Sequence, residues 1–267
     1  PVDGGYELTG QWPYASNCEN SQWCILSCMV QPSGDAPAGP ALFLVPAALL
    51  QVDQSSWQVS GLAGTGSKTL HAPQPIFVPA YRMVRFADIV GGTTPGEQLP
   101  DNPSAHFAFA TFSASPLAGA LLGMARGAQD CFAETMKAKM QPGGKTAADN
   151  PFLQQRLGWA SAATDSAYAL LLNDLQAAES AIFSGEQLSA GDRIRLRRDC
   201  GFGAQQARAA VDILMSVAGA SSADLGKPIQ RFWRDVNAGA RHAALDADMV
   251  NTQMGQHIFD LPITGAY

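Results

Sequence analysis

The chain has 267 residues, 46% hydrophobic and 15% charged, which is rich enough in apolar side chains to bury a core and excludes general disorder. A net charge of -6 and a pI near 5.1 exclude a nucleic-acid binder that works through bulk positive charge. No apolar run approaches the roughly 20 residues of a membrane helix, no basic-then-apolar leader opens the chain, and five cysteines without repeated spacing fit a reducing cytoplasm better than a disulfide framework.

Residues 1–105 are punctuated by Gly, Pro and Ser. Gly4-Gly5 after Asp3 predicts a tight hairpin turn. Short apolar runs at 23–30, 41–52, 57–62 and 76–78, each bounded by turn residues, predict strands. The expectation for this half is an antiparallel β domain, a small barrel. From 106 to 267 the period changes. Leu117, Leu121, Ala125, Ala128, Phe132 and Met136 step by four or three, and so does the run from Leu153 to Ile182. Ala207, Val211, Leu214 and Ala218 follow, and Ile229, Trp233, Val236, Ala240, Ala243, Ala247, Val250 and Met254 make a last stripe. Four such stripes predict a four-helix bundle, with 141–144 ending the first helix and Ser189 to Asp192 opening the third. The fold class is therefore α+β with two domains.

Standard nucleotide loops are absent: there is no GxGxxG and no GxxxxGK[ST]. Gly64-Thr65-Gly66-Ser67 reads either as a tight turn or as a loop whose backbone approaches a ligand. Cys18, Cys24 and Cys28 have no matching Cys/His pair and suit small hydrophobes in strands better than a zinc site. Arg193, Arg195, Arg197 and Arg198 read as a solvated helix start or oligomer contact, with an anion-docking patch as the alternative. Of the four histidines, His242 stands beside the last stripe. Asp235, Gly239, His242 and Asp246 step by four, three and four and form a narrow stripe flanking the buried face of the last helix, where Asp246 can orient the imidazole. Spacing alone favours a histidine satisfied by its helix neighbours over a general acid/base.

Three segments carry more. The first runs Pro1-Val2-Asp3-Gly4-Gly5-Tyr6, then Gly10-Gln11-Trp12-Pro13-Tyr14-Ala15-Ser16-Asn17-Cys18 and Trp23. The second is Trp57-Gln58-Val59-Ser60-Gly61-Leu62-Ala63-Gly64-Thr65-Gly66-Ser67 with Phe77-Val78-Pro79. The third is Pro228-Ile229-Gln230-Arg231-Phe232-Trp233-Arg234-Asp235 continuing to Arg241-His242. In this order the chain resembles the flavin-dependent monooxygenases built on the acyl-CoA dehydrogenase fold, the oxygenase components of two-component systems. The resemblance spans nearly the whole chain.

That resemblance implies a middle β-barrel, a helical bundle, and a helical domain preceding Pro1 that this chain lacks. It implies reduced FMN or FAD from a separate flavin reductase, molecular oxygen as co-substrate, and a small aromatic or heteroaromatic substrate oxygenated through a flavin hydroperoxide. It also implies a homotetramer. Ser16 matches the serine beside the flavin's central-ring nitrogen, and His242 the histidine that helps form or stabilise the flavin hydroperoxide or deprotonates a phenolic substrate. Thr65, Gly66 and Ser67 are implied to line the flavin or substrate, and Ser221 and Ser222 to lie near its phosphate. Lys145 and the four arginines are candidates for the phosphate end, and Phe107, Phe109 and Phe112 for an aromatic pocket. Many acyl-CoA dehydrogenases carry a catalytic glutamate where this chain has Ala243, which cannot remove a proton. The alternatives are nevertheless an acyl-CoA dehydrogenase-type oxidoreductase and a non-catalytic fragment of the fold.

Overall fold

The computed structural model describes residues 1–32, 37–91, 94, 96 and 109–267, and the chain divides into two units, Pro1–Ala108 and Phe109–Tyr267. In the first unit, Val2 and Gly5 exchange backbone hydrogen bonds around Gly4 at φ 73°, the expected turn. Among the described residues eight strands follow: β1 (Gly5–Leu8), β2 (Gln11–Ala15), β3 (Trp23–Val30), β4 (Gly39–Pro46), β5 (Gln51–Asp53), β6 (Lys68–His71), β7 (Ile76–Pro79) and β8 (Met83–Arg85), before a short helix α1 (Phe86–Gly91). All pairings are antiparallel. They give three sheets, in the orders β1-β7, β2-β6-β5 and β3-β4-β8, and among the described residues these do not close into a barrel.

Alternation decides which side is buried. On β3, Cys24, Leu26 and Val30 point inward, and on β4, Ala41, Phe43 and Val45 do. They meet Leu8, Leu70, Ile76 and Val78 in one core. Cys24 and Cys28 lie on β3, and all five cysteines are free. The run 57–62 is a correction: it forms no strand. Leu62 turns left-handed at φ 56°, and the Trp57 indole donates to the Ala63 carbonyl at 3.2 Å, so the segment folds back on itself. Its apolar side chains decorate a loop.

The second unit holds α2 (Phe109–Phe112), α3 (Ser115–Ala138), α4 (Pro151–Phe183), α5 (Ala190–Val217), α6 (Pro228–Gly239) and α7 (Ala247–Ile258). Leu121, Ala125, Ala128, Phe132 and Met136 are buried on α3, and Ala160, Thr164, Ala167, Leu171, Ala178 and Ile182 on α4, as their spacing requires. Asn150 caps α4 and Ser189 caps α5, each accepting a backbone N–H of the first turn. The helices meet along small residues. Ala118, Ala125 and Ala128 of α3, Ala160 and Ala167 of α4, and Ala204, Ala207 and Ala210 of α5 are at most 1% exposed. A Cβ on Gly201 of α5 would stand 3.2 Å from the Ala247 Cα of α7. Among the described residues, no helix is long and apolar enough to cross a membrane.

The arginine run on α5 is not a solvated face. Arg197 is buried and donates to Gln253 of α7 and to the Ala266 carbonyl, and Arg193 lies over the Tyr267 ring. Arg195 Nε donates to Asp174 Oδ1 of α4 at 3.0 Å, and Arg198 forks onto Asp199 at 2.6 and 2.9 Å. Asp174 and Asp199 are 3% and 1% exposed, and their carboxyls face one another across α4 and α5. Burial, then the Asp199 carboxyl, push Asp174 up to about 6 against the pull of Arg195. Neighbouring Cys200 is pushed up to about 12, chiefly by burial. An acid whose folded value lies above its unfolded value stabilises the fold fully below the unfolded value, near 4, and loses that contribution as pH rises through the folded one. Between pH 4 and 7, urea unfolding should therefore show the wild type losing stability relative to Asp174→Asn. The asparagine amide donates permanently to Asp199. Parallel curves for the two proteins would contradict a proton on Asp174.

Candidate functional site

Opposite β6, β2 carries one residue too many. Trp12 pairs with Leu70 and Ala15 with Lys68, so Pro13 and Tyr14 together face Thr69. This is a β-bulge, and Tyr14 takes φ 60° in it. The bulge redirects the chain into Ser16 and Asn17, where Ser16 N–H donates to the Tyr14 carbonyl at 2.9 Å. Asn17, at φ 59°, donates its N–H to the Thr65 carbonyl at 2.9 Å and ties the turn to the glycine-rich loop. That loop leaves Leu62, makes a single 3-10 turn over Ala63–Thr65, and continues through Gly66 at φ 51°. Three of the four described non-glycine residues with positive φ (Tyr14, Asn17 and Leu62) lie in these two loops. Such strain persists only where surrounding contacts enforce it, and it concentrates at functional sites.

The loops bring three hydroxyls together. Ser16 Oγ is 2.8 Å from Ser67 Oγ, Ser67 Oγ is 2.8 Å from Thr65 Oγ1, and Thr65 Oγ1 donates to the Leu62 carbonyl at 2.9 Å. Ser67 is buried, whereas Ser16 is exposed. Beside them the Tyr14 ring stands edge-on to Trp57, with centroids 6.3 Å apart. A Cβ on Gly64 would meet nothing within 4 Å, so the loop backbone is open to close approach. Four residues expected at a site (Ser16, Thr65, Gly66 and Ser67) thus share one small region.

His242 lies elsewhere in its chain than the continuous stripe predicts. Helix α6 ends at Gly239, a 3-10 turn follows over Ala243–Leu245, and α7 begins at Ala247. The final stripe is therefore two 12-residue helices with a break between them. His242 caps that 3-10 turn, its Nδ1 accepting the Ala244 N–H at 3.1 Å. Asp246 does not orient the ring: it caps α7, its Oδ1 accepting from Asp248 and Met249 N–H at 3.1 and 3.2 Å. With Nδ1 an acceptor, the neutral imidazole carries its proton on Nε2. The exposed ring borders a cleft of about 360 Å³, shared with Gln205 and Arg208 of α5, Arg241, Asp246 and Asp248.

The expected phosphate-end serines sit on the 3-10 turn Ala220–Ala223. Ser222 is buried and donates its hydroxyl inward to the Gly219 carbonyl at 2.6 Å. Ser221 is exposed. Sequence reasoning missed Lys139 at the end of α3, whose Nζ is 3.4 Å from where a Cβ on Gly219 would stand. It sets a cation beside the turn, and no periodicity links positions 139 and 219. Lys145 is exposed next to Asp149. Phe109 is half-exposed, Phe112 packs on the helical core, and Phe107, like His106, lies outside the described residues. Among the described residues no group of three or more His, Cys, Asp or Glu is placed to hold a metal.

The model of the acyl-CoA dehydrogenase C-terminal domain family matches residues 115–247. The whole chain is 35% identical to the oxygenase component of an FADH2-dependent resorcinol hydroxylase from Rhizobium sp. strain MTP-10005 and covers 67% of that protein. The crystal structure of 3-HSA hydroxylase from Rhodococcus sp. RHA1 superposes with a TM-score of 0.90 at 32% identity, over 99% of this chain and 67% of that one. XiaF from Streptomyces sp., solved in complex with FADH2 and glycerol, superposes with a TM-score of 0.87 at 28% identity, over 100% of this chain and 67% of that one. The chain spans about two thirds of the length of these relatives. With its sheets, its long helices and this likeness along its full length, the chain belongs to the flavin-dependent monooxygenase oxygenase components of the acyl-CoA dehydrogenase-like fold.

Proposed function

We propose that this protein is an oxygenase component that takes reduced FMN or FAD from a separate flavin reductase and uses molecular oxygen to hydroxylate a small aromatic substrate. The observation that carries the proposal is the convergence of Ser16, Thr65, Gly66 and Ser67 in one strained, partly open loop pair, in a chain 35% identical to an FADH2-dependent hydroxylase component. The residues fit the edge of a flavin ring. They offer uncharged hydroxyls and an unobstructed backbone, the groups that match ring nitrogens and carbonyls. Ser16 would meet the central ring, and Thr65 and Gly66 would border it. Taken by itself, the turn of Ser221 and Ser222 with Lys139 would suit an anionic group.

When bound, the reduced flavin supplies the oxygen-transfer chemistry. The protein positions and holds protons. Ser16 fixes the ring edge, and His242 presents its Nε2–H at its cleft, where it can donate a hydrogen bond. In this proposal residues 1–105 are the family's β-barrel domain and 106–267 its helical bundle. A homotetramer in the cytoplasm is part of the same proposal, and exposed Phe152 and Trp159 on one flank of α4, with Tyr168 and Phe183 on another, are apolar area it would cover.

Anaerobic titration with dihydro-FMN and dihydro-FAD, followed by oxygen and a panel of phenols with a flavin reductase supplying electrons, tests the proposal. Hydroxylated product from one phenol class supports it. Flavin binding with peroxide as the sole product from every phenol would refute it.

A further inference from the structure

The three hydroxyls at the loop pair have one consistent direction. Each has a single proton. The proton of Thr65 is committed to the Leu62 carbonyl, an acceptor only. Thr65 Oγ1 can therefore only accept in its 2.8 Å contact with Ser67, so Ser67 donates to Thr65. That uses the one proton of Ser67, and the 2.8 Å contact between Ser67 and Ser16 then requires Ser16 to donate. Any other arrangement sets two lone pairs against each other, with Ser67 buried and unable to recruit water. The chain runs from Ser16 to Ser67 to Thr65 to the Leu62 carbonyl. Its exposed end, Ser16 Oγ, has given its proton inward and offers lone pairs outward.

We infer that Ser67 and Thr65 are positioning residues that fix Ser16 as a hydrogen-bond acceptor, and so make this site select the reduced over the oxidised flavin. The inference rests on the proposed placement of Ser16 at the flavin's central ring. The chemistry of that ring then discriminates. In the reduced flavin the central nitrogen N5 carries a hydrogen and donates; in the oxidised flavin the same atom has only a lone pair. An acceptor held in place bonds the first and repels the second. Ser67 and Thr65 need no contact with the flavin for this, since they act through the direction of one proton. The strain at Tyr14, Asn17 and Leu62 has a purpose in this scheme, because it brings residues 51 apart in sequence to hydroxyl–hydroxyl distance.

The test compares dissociation constants for reduced and oxidised flavin, measured anaerobically and aerobically on the full chain. The wild type should bind the reduced form more tightly. Ser67→Ala releases the Ser16 proton, which then turns outward to an oxidised ring. Thr65→Val, nearly isosteric, leaves Ser67 without its acceptor and lets it donate to Ser16 instead, with the same result. In both variants the ratio of the two constants should shrink about tenfold, the worth of one hydrogen bond, which lowers the midpoint potential of bound flavin by about 30 mV. Thr65→Ser keeps the proton direction and should keep the ratio. In a Ser16→Ala background, Ser67→Ala should change nothing further. A merely structural role would move both constants together and leave their ratio alone. If the wild type binds flavin and the ratio stays fixed in both Ser67→Ala and Thr65→Val, the inference falls while the proposed function stands. If the wild type binds flavin in neither redox state, both fall.

Discussion

His242→Ala should lower product formation by about 100- to 10,000-fold, the range for loss of a positioned proton-handling group. The same change removes the Nδ1 acceptor that caps the 3-10 turn at Ala244, so it should also cost stability, about 1 kcal/mol by analogy with helix caps. His242→Asn separates the two effects. An asparagine oxygen can replace Nδ1 as the cap acceptor, but nothing replaces the Nε2 proton at the cleft. The asparagine variant should melt like the wild type and be nearly as inactive as alanine. The check is a reductase-coupled assay of hydroxylated product beside a thermal melt. Near-normal turnover by His242→Asn would mean that His242 is a structural cap and that another group handles the protons.

Phe132→Ala should destabilise the helical unit by about 3–5 kcal/mol. Phe132 is 1% exposed on α3 and belongs to a core otherwise rich in alanine. Its neighbours Ala125 and Ala128 have no side-chain length with which to refill the space, so the cavity should persist. Urea unfolding followed by far-ultraviolet circular dichroism measures this, with Phe132→Leu as the milder control. A loss below about 1 kcal/mol would show that the helices close the gap by shifting.

Most of the helical architecture was legible in the sequence because a buried helix face repeats with a short period. Leu121 through Met136 and Ala160 through Ile182 announce α3 and α4 without any distant information. The last stripe misled for the same reason: Ile229, Val236, Ala247 and Val250 keep phase across a break. The break had its own local signals, a glycine at 239 and an aspartate at 246 in front of a new helix, but spacing alone also allows those residues on one face of a continuous helix. The apolar run 23–30 marked β3 over its full length, whereas the like run 57–62 is apolar without being paired. The candidate site divides similarly. The resemblance marked Ser16 and the Gly64 loop as neighbours of one ligand. The proton direction that links them depends on distances between hydroxyls 51 residues apart, and the approach of Lys139 to Gly219 spans 80 positions. Neither leaves a periodic trace.

The alanine seam between α3, α4 and α5 limits how this protein can change. A truncation library has little to remove where the side chain is already one methyl group. Every enlargement there pushes helix axes apart, at about 1–3 kcal/mol per overpacked site. Neutral drift along the seam is therefore confined to exchanges among glycine, alanine and serine. Laboratory evolution of this enzyme should accumulate its accepted substitutions in loops, caps and outer helix faces, with the seam left as a fixed record of the fold.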